Sequence, residues 1–143
     1  MSALPLPFAE VTLDIPFHDV DVMHVAWHGH YLKYFELART ALLRQIGYDY
    51  PEMKASGYAW PVTECHLKYV RPARYGQQVI ARAEIVEYEN RLKIAYRLRD
   101  AATGDKLTQG HTVQVALKIA DDMALQFVTP AVLWHKLGRE YQE

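Results

Sequence analysis

Only one cysteine, Cys65, stands among 143 residues. No internal disulfide can form, a cysteine-rich zinc module is excluded, and the expected location is a reducing compartment, the cytoplasm. An excess of either charge is equally lacking: sixteen Lys and Arg against seventeen Asp and Glu leave a formal charge of −1. That is too little positive field to gather nucleic-acid phosphates, so no nucleic-acid partner is expected. No run approaches the roughly 20 apolar residues of a membrane span, and the start, Met1 to Pro7, lacks the basic and apolar regions of a signal peptide. Internal repeats, low-complexity segments and linkers are also missing. At roughly 100–200 residues per domain, residues 1–143 read as one domain. Half of its residues are apolar, enough for a core without metal or disulfide staples.

Hydrophobic spacing supplies the elements. Val11, Leu13, Ile15 and Phe17 alternate with polar residues and Pro16, which predicts a strand at a sheet edge. From about Gly29 the period changes: Tyr31, Phe35, Ala38, Leu42 and Ile46 recur at three and four, predicting one helix of about 17 residues that Gly47 terminates. Beyond Pro51 the chain reads as strands, at 58–70, 78–89, 92–98 and 107–119. The Glu89-Asn90 and Thr103-Gly104 turns between them imply antiparallel hairpins. A short helix closes the chain between Thr129 and Tyr141, with Pro130 as its first residue. One amphipathic helix has only the sheet to bury its stripe against, so the expected class is α+β, five or six antiparallel strands wrapped round a central helix.

The chemistry-bearing segment is 17–39, FHDVDVMHVAWHGHYLKYFELAR. It sets Asp19, Asp21, His24, His28 and His30 just ahead of a helix N-terminus, whose unpaired N–H groups favour an anion or a carbonyl oxygen gaining charge. A carboxylate beside such donors suffices for acyl transfer without a cofactor: it attacks or activates water while the donors hold the oxyanion. Asp21 alone also fits a loop aspartate that satisfies backbone donors, and Asp19 reads as structural. The three histidines do not make a metal site, because His24 and His28 share a face only if both are helical, and the helix begins near His28.

The run Asp-x-Asp followed by His-x-x-Tyr-Leu-x-Tyr-Phe-Glu-x-Ala-Arg resembles the signature of hotdog-fold acyl-CoA thioesterases, the 4-hydroxybenzoyl-CoA thioesterase-like branch. The later segment CHLKYVRPARYGQQVIARAEI is similar to that family's second-strand region. The resemblance implies a single hotdog domain that hydrolyses an acyl-CoA, or an acyl-carrier-protein thioester, to free acid and thiol, as a homodimer or homotetramer. It makes Asp21 the nucleophile or general base and the His28-Gly29 helix start the oxyanion site. It also places Tyr31, Phe35, Glu36 and Arg39 on the helix face that packs on sheet and partner. Many relatives have Gly after the aspartate where this chain has His24-Val25.

Around that centre, Trp27, Tyr31 and Tyr34 are candidates to line an acyl pocket, though aromatics at helical spacing also simply pack. Lys68, Arg71, Arg74 and Arg91 are cations at strand ends and turns, suited to coenzyme A phosphates or to a solvated face. Glu64 and His66 alternate with Thr63 and Cys65 on a strand, and one of these faces lines the site, with Glu64 a second carboxylate. Cys65, with no supporting motif, reads as buried packing. Two rival readings remain: a 3-hydroxyacyl-thioester dehydratase or hydratase on the same fold, and a non-catalytic acyl-thioester binding module.

Overall fold

The structure is a computed structural model that describes residues 5–142; the Met1–Leu4 part of the expected leaderless start lies outside the described residues. Five strands form one antiparallel sheet in the order β1-β4-β5-β6-β3: β1 Phe8–Asp14, β3 Val62–Tyr69, β4 Gln78–Glu87, β5 Leu92–Asp100 and β6 Lys106–Gln114. The long helix α1, Tyr31–Gln45, lies across β1, β4 and β5. The order places β1 and β3 at opposite edges. Among the described residues no helix is long and apolar enough to cross a membrane.

Register explains the core. Ile94 pairs with Ile85 and Thr112, and Tyr96 with Ala83 and Gly110, so these residues share the face beneath α1. Phe35 stacks on Tyr96 with ring centroids 4.9 Å apart, and Ala81 and Ala83 leave room for the helix. Phe35, Ala38 and Leu42 are fully buried, each large side chain contributing about 1.5–3 kcal/mol. Gly47, at φ 73°, takes the left-handed conformation that ends α1, and Tyr48 N–H returns to the Leu43 carbonyl.

Several expectations change. β1 ends at Asp14, and Phe17 opens a short 3-10 turn with its ring exposed. Residues 50–55 are helical rather than extended: α2, Tyr50–Ala55, starts at Asp49, whose N–H donates to Glu52 Oε1 at 3.0 Å, with Pro51 in its first turn. The 58–70 strand is broken at Trp60-Pro61 into β2, Tyr58–Ala59, and β3. The 107–119 strand is broken after Gln114, and β7, Leu117–Lys118, pairs with β2 and with β8, Ala124–Leu125. The last helix, α3, covers only Ala131–Lys136, with Pro130 as its N-cap. In β6 the alternation of Gln109, His111 and Val113 marks the outer sheet face, opposite Arg97, Ala95 and Lys93; Thr108, Gly110, Thr112 and Gln114 face α1. Cys65 is exposed, not buried, because β3 is an edge strand that α1 leaves uncovered.

Candidate active site

Residues 17–30 form a short irregular loop whose two aspartates meet opposite surroundings. Asp19 is 2% exposed. Lys33 Nζ donates to both of its oxygens at 2.7 Å and the Tyr34 hydroxyl to one at 2.7 Å, which clamps the loop to the first turn of α1. Burial opposes ionisation of Asp19, but the Lys33 ammonium and the Tyr34 hydroxyl outweigh it and hold the carboxyl below its ordinary value. Burial and the bond to Asp19 push the Tyr34 hydroxyl well above its usual range.

Asp21 is exposed. Its Oδ1 accepts the Met23 N–H at 2.8 Å, its own N–H donates to the Val25 carbonyl at 3.0 Å, and its carbonyl accepts the His24 N–H at 2.9 Å. Among the described residues Asp21 Oδ2 has no hydrogen-bond partner. The turn closes through His24 at φ 59°, the left-handed region where glycine is cheapest. The turn is tied down further on, Tyr75 N–H to the His24 carbonyl at 3.1 Å and Ala26 N–H to the Ala73 carbonyl at 2.7 Å.

The facing wall is the 3-10 turn His28–His30 that leads into α1. Its first N–H groups have no intrahelical acceptor. The Tyr69 hydroxyl, from the end of β3, donates to the His28 carbonyl at 3.0 Å, and the Tyr69 ring meets Tyr31 edge-on at 5.1 Å. The Tyr31 hydroxyl is already committed, accepting the Ala73 N–H at 2.9 Å. Trp27 lies over Gly29, and a Cβ at Gly29 would collide with the indole ring. These groups enclose a cleft of about 310 Å³ lined by Asp21, Trp27, His28, Tyr31, Tyr69 and Arg71.

Of the residues singled out by sequence, the cleft thus gathers Asp21, Trp27, His28, Tyr31 and Arg71. Gly29 sits behind Trp27 rather than in the lining. Arg74 lines an adjoining hollow of about 420 Å³ that shares Arg71, whose guanidinium pairs with Asp105 at 3.3 Å. Glu64, His66 and Lys68 are not brought to the cleft: their register partners Val113, His111 and Gln109 put them on the outer sheet face. There Glu64 pairs with Arg91 at 3.1 Å, and His66 stacks on His111 at 5.5 Å. Sequence reasoning passed over Tyr69 and Pro72; the parity of β3, which puts Tyr69 with Cys65 and Leu67 on the other face from Lys68, was the available signal for Tyr69.

The chain belongs to the thioesterase-like superfamily, whose profile matches residues 15–129. It is 29% identical over 138 residues to a putative esterase of Synechocystis sp., a match spanning 96% of this chain and 83% of the relative. It is 30% identical over 84 residues to a putative acyl-CoA thioesterase of Bacillus subtilis, covering 59% of this chain and 60% of the relative. Its fold matches that of a 1,4-dihydroxy-2-naphthoyl-CoA thioesterase from Synechocystis with a TM-score of 0.81 at 15% identity, over 92% of this chain and 96% of the other.

Proposed function

We propose that this protein hydrolyses acyl-CoA thioesters, with Asp21 as the reacting carboxylate and the backbone N–H at His28 as the oxyanion donor. The observation that carries this reading is the free Oδ2 of Asp21 in the same cleft as the N-terminal turn of α1. A thioester carbonyl lodged against that turn gains a donor aligned with the helix dipole where charge develops in the transition state. Acting as base, Asp21 takes a proton from water, hydroxide adds to the carbonyl carbon, the C–S bond breaks, and the thiolate leaves and is protonated. Acting as nucleophile, Asp21 adds to the carbonyl carbon and expels the thiolate, which is protonated, and water then opens the resulting anhydride to the free acid and the Asp21 carboxylate. A single turnover in heavy-oxygen water separates the routes: direct attack by water puts label only in the released acid, whereas an anhydride opened at the aspartyl carbonyl leaves label in Asp21. In this reading Arg71 and Arg74, which line the cleft and its adjoining hollow, meet the coenzyme A phosphates.

The active unit in this reading is at least a homodimer. β3 is eight residues long and exposed on both faces, with one edge unpaired, a template for a second copy. Antiparallel pairing about His66 sets each Glu64 opposite the partner's Lys68, an opposite-charge pair on either side of the axis.

The test is thiol release from short, long and aromatic acyl-CoAs by the native protein and by Asp21→Asn, which keeps the shape and removes the charge. A fall of about 10²-fold or more is expected, the scale of a lost acid–base group. Unchanged release in the variant would remove Asp21 from the reaction, and no release from any substrate by the native protein would end the hydrolase reading.

A further inference from the structure

The 3-10 turn that leads into α1 carries the backbone donor of the proposed reaction, yet it is thinly held. None of His28, Gly29 and His30 is buried, and Trp27, which precedes them, makes no side-chain cap. The Trp27 N–H donates to the Asp19 carbonyl at 3.0 Å and the His30 N–H to the Trp27 carbonyl at 2.9 Å, while the His28 N–H has no acceptor among the described residues. Both bonds lie within residues 19–30, so neither ties the turn to the sheet. Hydrogen bonds inside a 3-10 turn also have poorer geometry than those of an α-helix. An oxyanion donor acts only if it stays within about 2.7–3.1 Å of the place where charge develops. A turn this exposed needs a fixing point outside itself.

Tyr69 provides one. Its hydroxyl, at the end of β3, donates to the His28 carbonyl at 3.0 Å. Among the described residues this is the only side-chain hydrogen bond made to His28, Gly29 or His30. The same carbonyl accepts the Tyr31 N–H that closes the turn, and its two lone pairs serve both donors. His28 is thereby held by the helix on one side and by the sheet on the other. The Tyr69 ring is braced in turn. It meets the His28 ring at 6.2 Å and the Tyr31 ring at 5.1 Å, both edge-on. Tyr31 is 3% exposed and its hydroxyl accepts the Ala73 N–H at 2.9 Å, so Tyr69 leans on a fixed neighbour.

A phenol has a single proton to donate. Tyr69 lines the Asp21 cleft, but its proton is engaged by a peptide carbonyl and not aimed at a ligand. That commitment argues against an acid–base part and for a mechanical one. We propose that Tyr69 is a positioning residue for thioester hydrolysis: by anchoring the His28 carbonyl to β3, its hydroxyl keeps the His28 N–H directed at the carbonyl oxygen of a thioester in the cleft. The proposal rests on the thioester-hydrolase reading for the reaction and on the Tyr69–His28 bond for the role.

Tyr69→Phe keeps the ring and its contacts with His28 and Tyr31 and removes only the hydroxyl. With the acyl-CoA that the native enzyme hydrolyses fastest, kcat is expected to fall about tenfold, the scale of one well-placed hydrogen bond, with little change in melting temperature. KM should stay within about twofold of native, because an interaction realised only in the transition state lowers kcat and kcat/KM together. An unchanged kcat overturns the proposal. So does a loss carried by KM alone, which would make Tyr69 a contact for bound substrate.

A second readout does not depend on turnover. Benzoyl-CoA with an isotope-labelled thioester carbonyl, bound to Asp21→Asn and followed by difference infrared spectroscopy, is expected to show its carbonyl stretch moved to lower frequency by the oxyanion donor. Adding Tyr69→Phe to that variant should shrink the shift. A shift of the same size with and without the hydroxyl, or no shift on binding, overturns the positioning role. The two readings fail separately. If the native protein releases no thiol from any acyl-CoA, the hydrolase reading ends, while a shift that depends on Tyr69 still sustains its hold on the donor. If Asp21→Asn abolishes turnover and Tyr69→Phe alters neither kcat nor the shift, the hydrolase reading stands and the role of Tyr69 falls.

Discussion

The loop ahead of α1 has a floor and a rim. Asp19 in the floor is buried, accepts from Lys33 and Tyr34, and spends its charge on holding the loop to the helix. Asp21 on the rim, two residues away, is open to solvent and keeps one oxygen unengaged. The same residue type serves as a fastening in one place and as an available reagent in the other, and the difference lies in how completely its lone pairs are used. A carboxylate already accepting several strong hydrogen bonds is a weak base, whereas one with a free oxygen can take a proton or attack a carbonyl.

Substitutions at the two aspartates should therefore separate cleanly. The largest effect expected is on turnover at the rim: Asp21→Asn lowers thiol release about 10²-fold or more while thermal unfolding stays within about 0.5 kcal/mol of native, as for an exposed substitution. Asp19→Ala does the opposite, costing about 1–3 kcal/mol of stability by leaving Tyr34 and Lys33 without their acceptor, with Lys33 discounted for its partial exposure. Urea unfolding of both variants checks the pair of claims. The floor also carries a pH signature. The Asp19 carboxyl is held below its ordinary value of 3.8 in the folded chain, so its contribution is fully present above that pH and is lost as pH falls through the lower, folded value. The stability gap between native protein and Asp19→Ala should be wide near neutrality and narrow below about pH 4. A gap independent of pH would show that Asp19 is not ionised in the folded protein.

Smaller effects sharpen the contrast within the rim. Gly29→Ala forces the Trp27 indole off the helix start, and is expected to raise KM several-fold with little change in melting temperature, read from steady-state kinetics beside a thermal scan. His24→Gly should be the mildest, raising stability by a few tenths of a kcal/mol or leaving it unchanged, since relief of the left-handed backbone is offset by the greater freedom of glycine when unfolded. A large loss of turnover in that variant would give the His24 ring a part in the reaction.

The sequence was informative where one force dominates. Apolar spacing gave α1 to within two residues of its ends, and Gly47 its stop, because burial of a single stripe governs that helix. It does not say which face of β6 turns inward, because small and polar residues fill that face: Thr112 faces the core with its hydroxyl bonded to that of Tyr96 at 2.7 Å, and a Cβ at Gly110 would run into the His66 carbonyl. α2 is legible in principle, as Asp49-Pro51-Glu52 is a helix start, but the aromatic and β-branched residues further on make the chain beyond Pro51 read as strands. At the site, Asp21 and His28 are near in sequence and so stood out together. Tyr69 reaches the cleft through pairings between distant strands, which spacing along the chain does not report.

An uncovered β3 has a consequence for handling. A strand with free backbone groups along one edge and no cover on either face is the feature that drives indiscriminate stacking between chains. Its sequence, VTECHLKY, interrupts the apolar residues with Glu64 and Lys68, charges that oppose in-register parallel stacking, where like would meet like, yet suit the symmetric antiparallel pair. Solubility and assembly would then be set by the same two side chains. Making both alike, as in Glu64→Lys, should leave a chain that neither pairs well nor stays dispersed when concentrated.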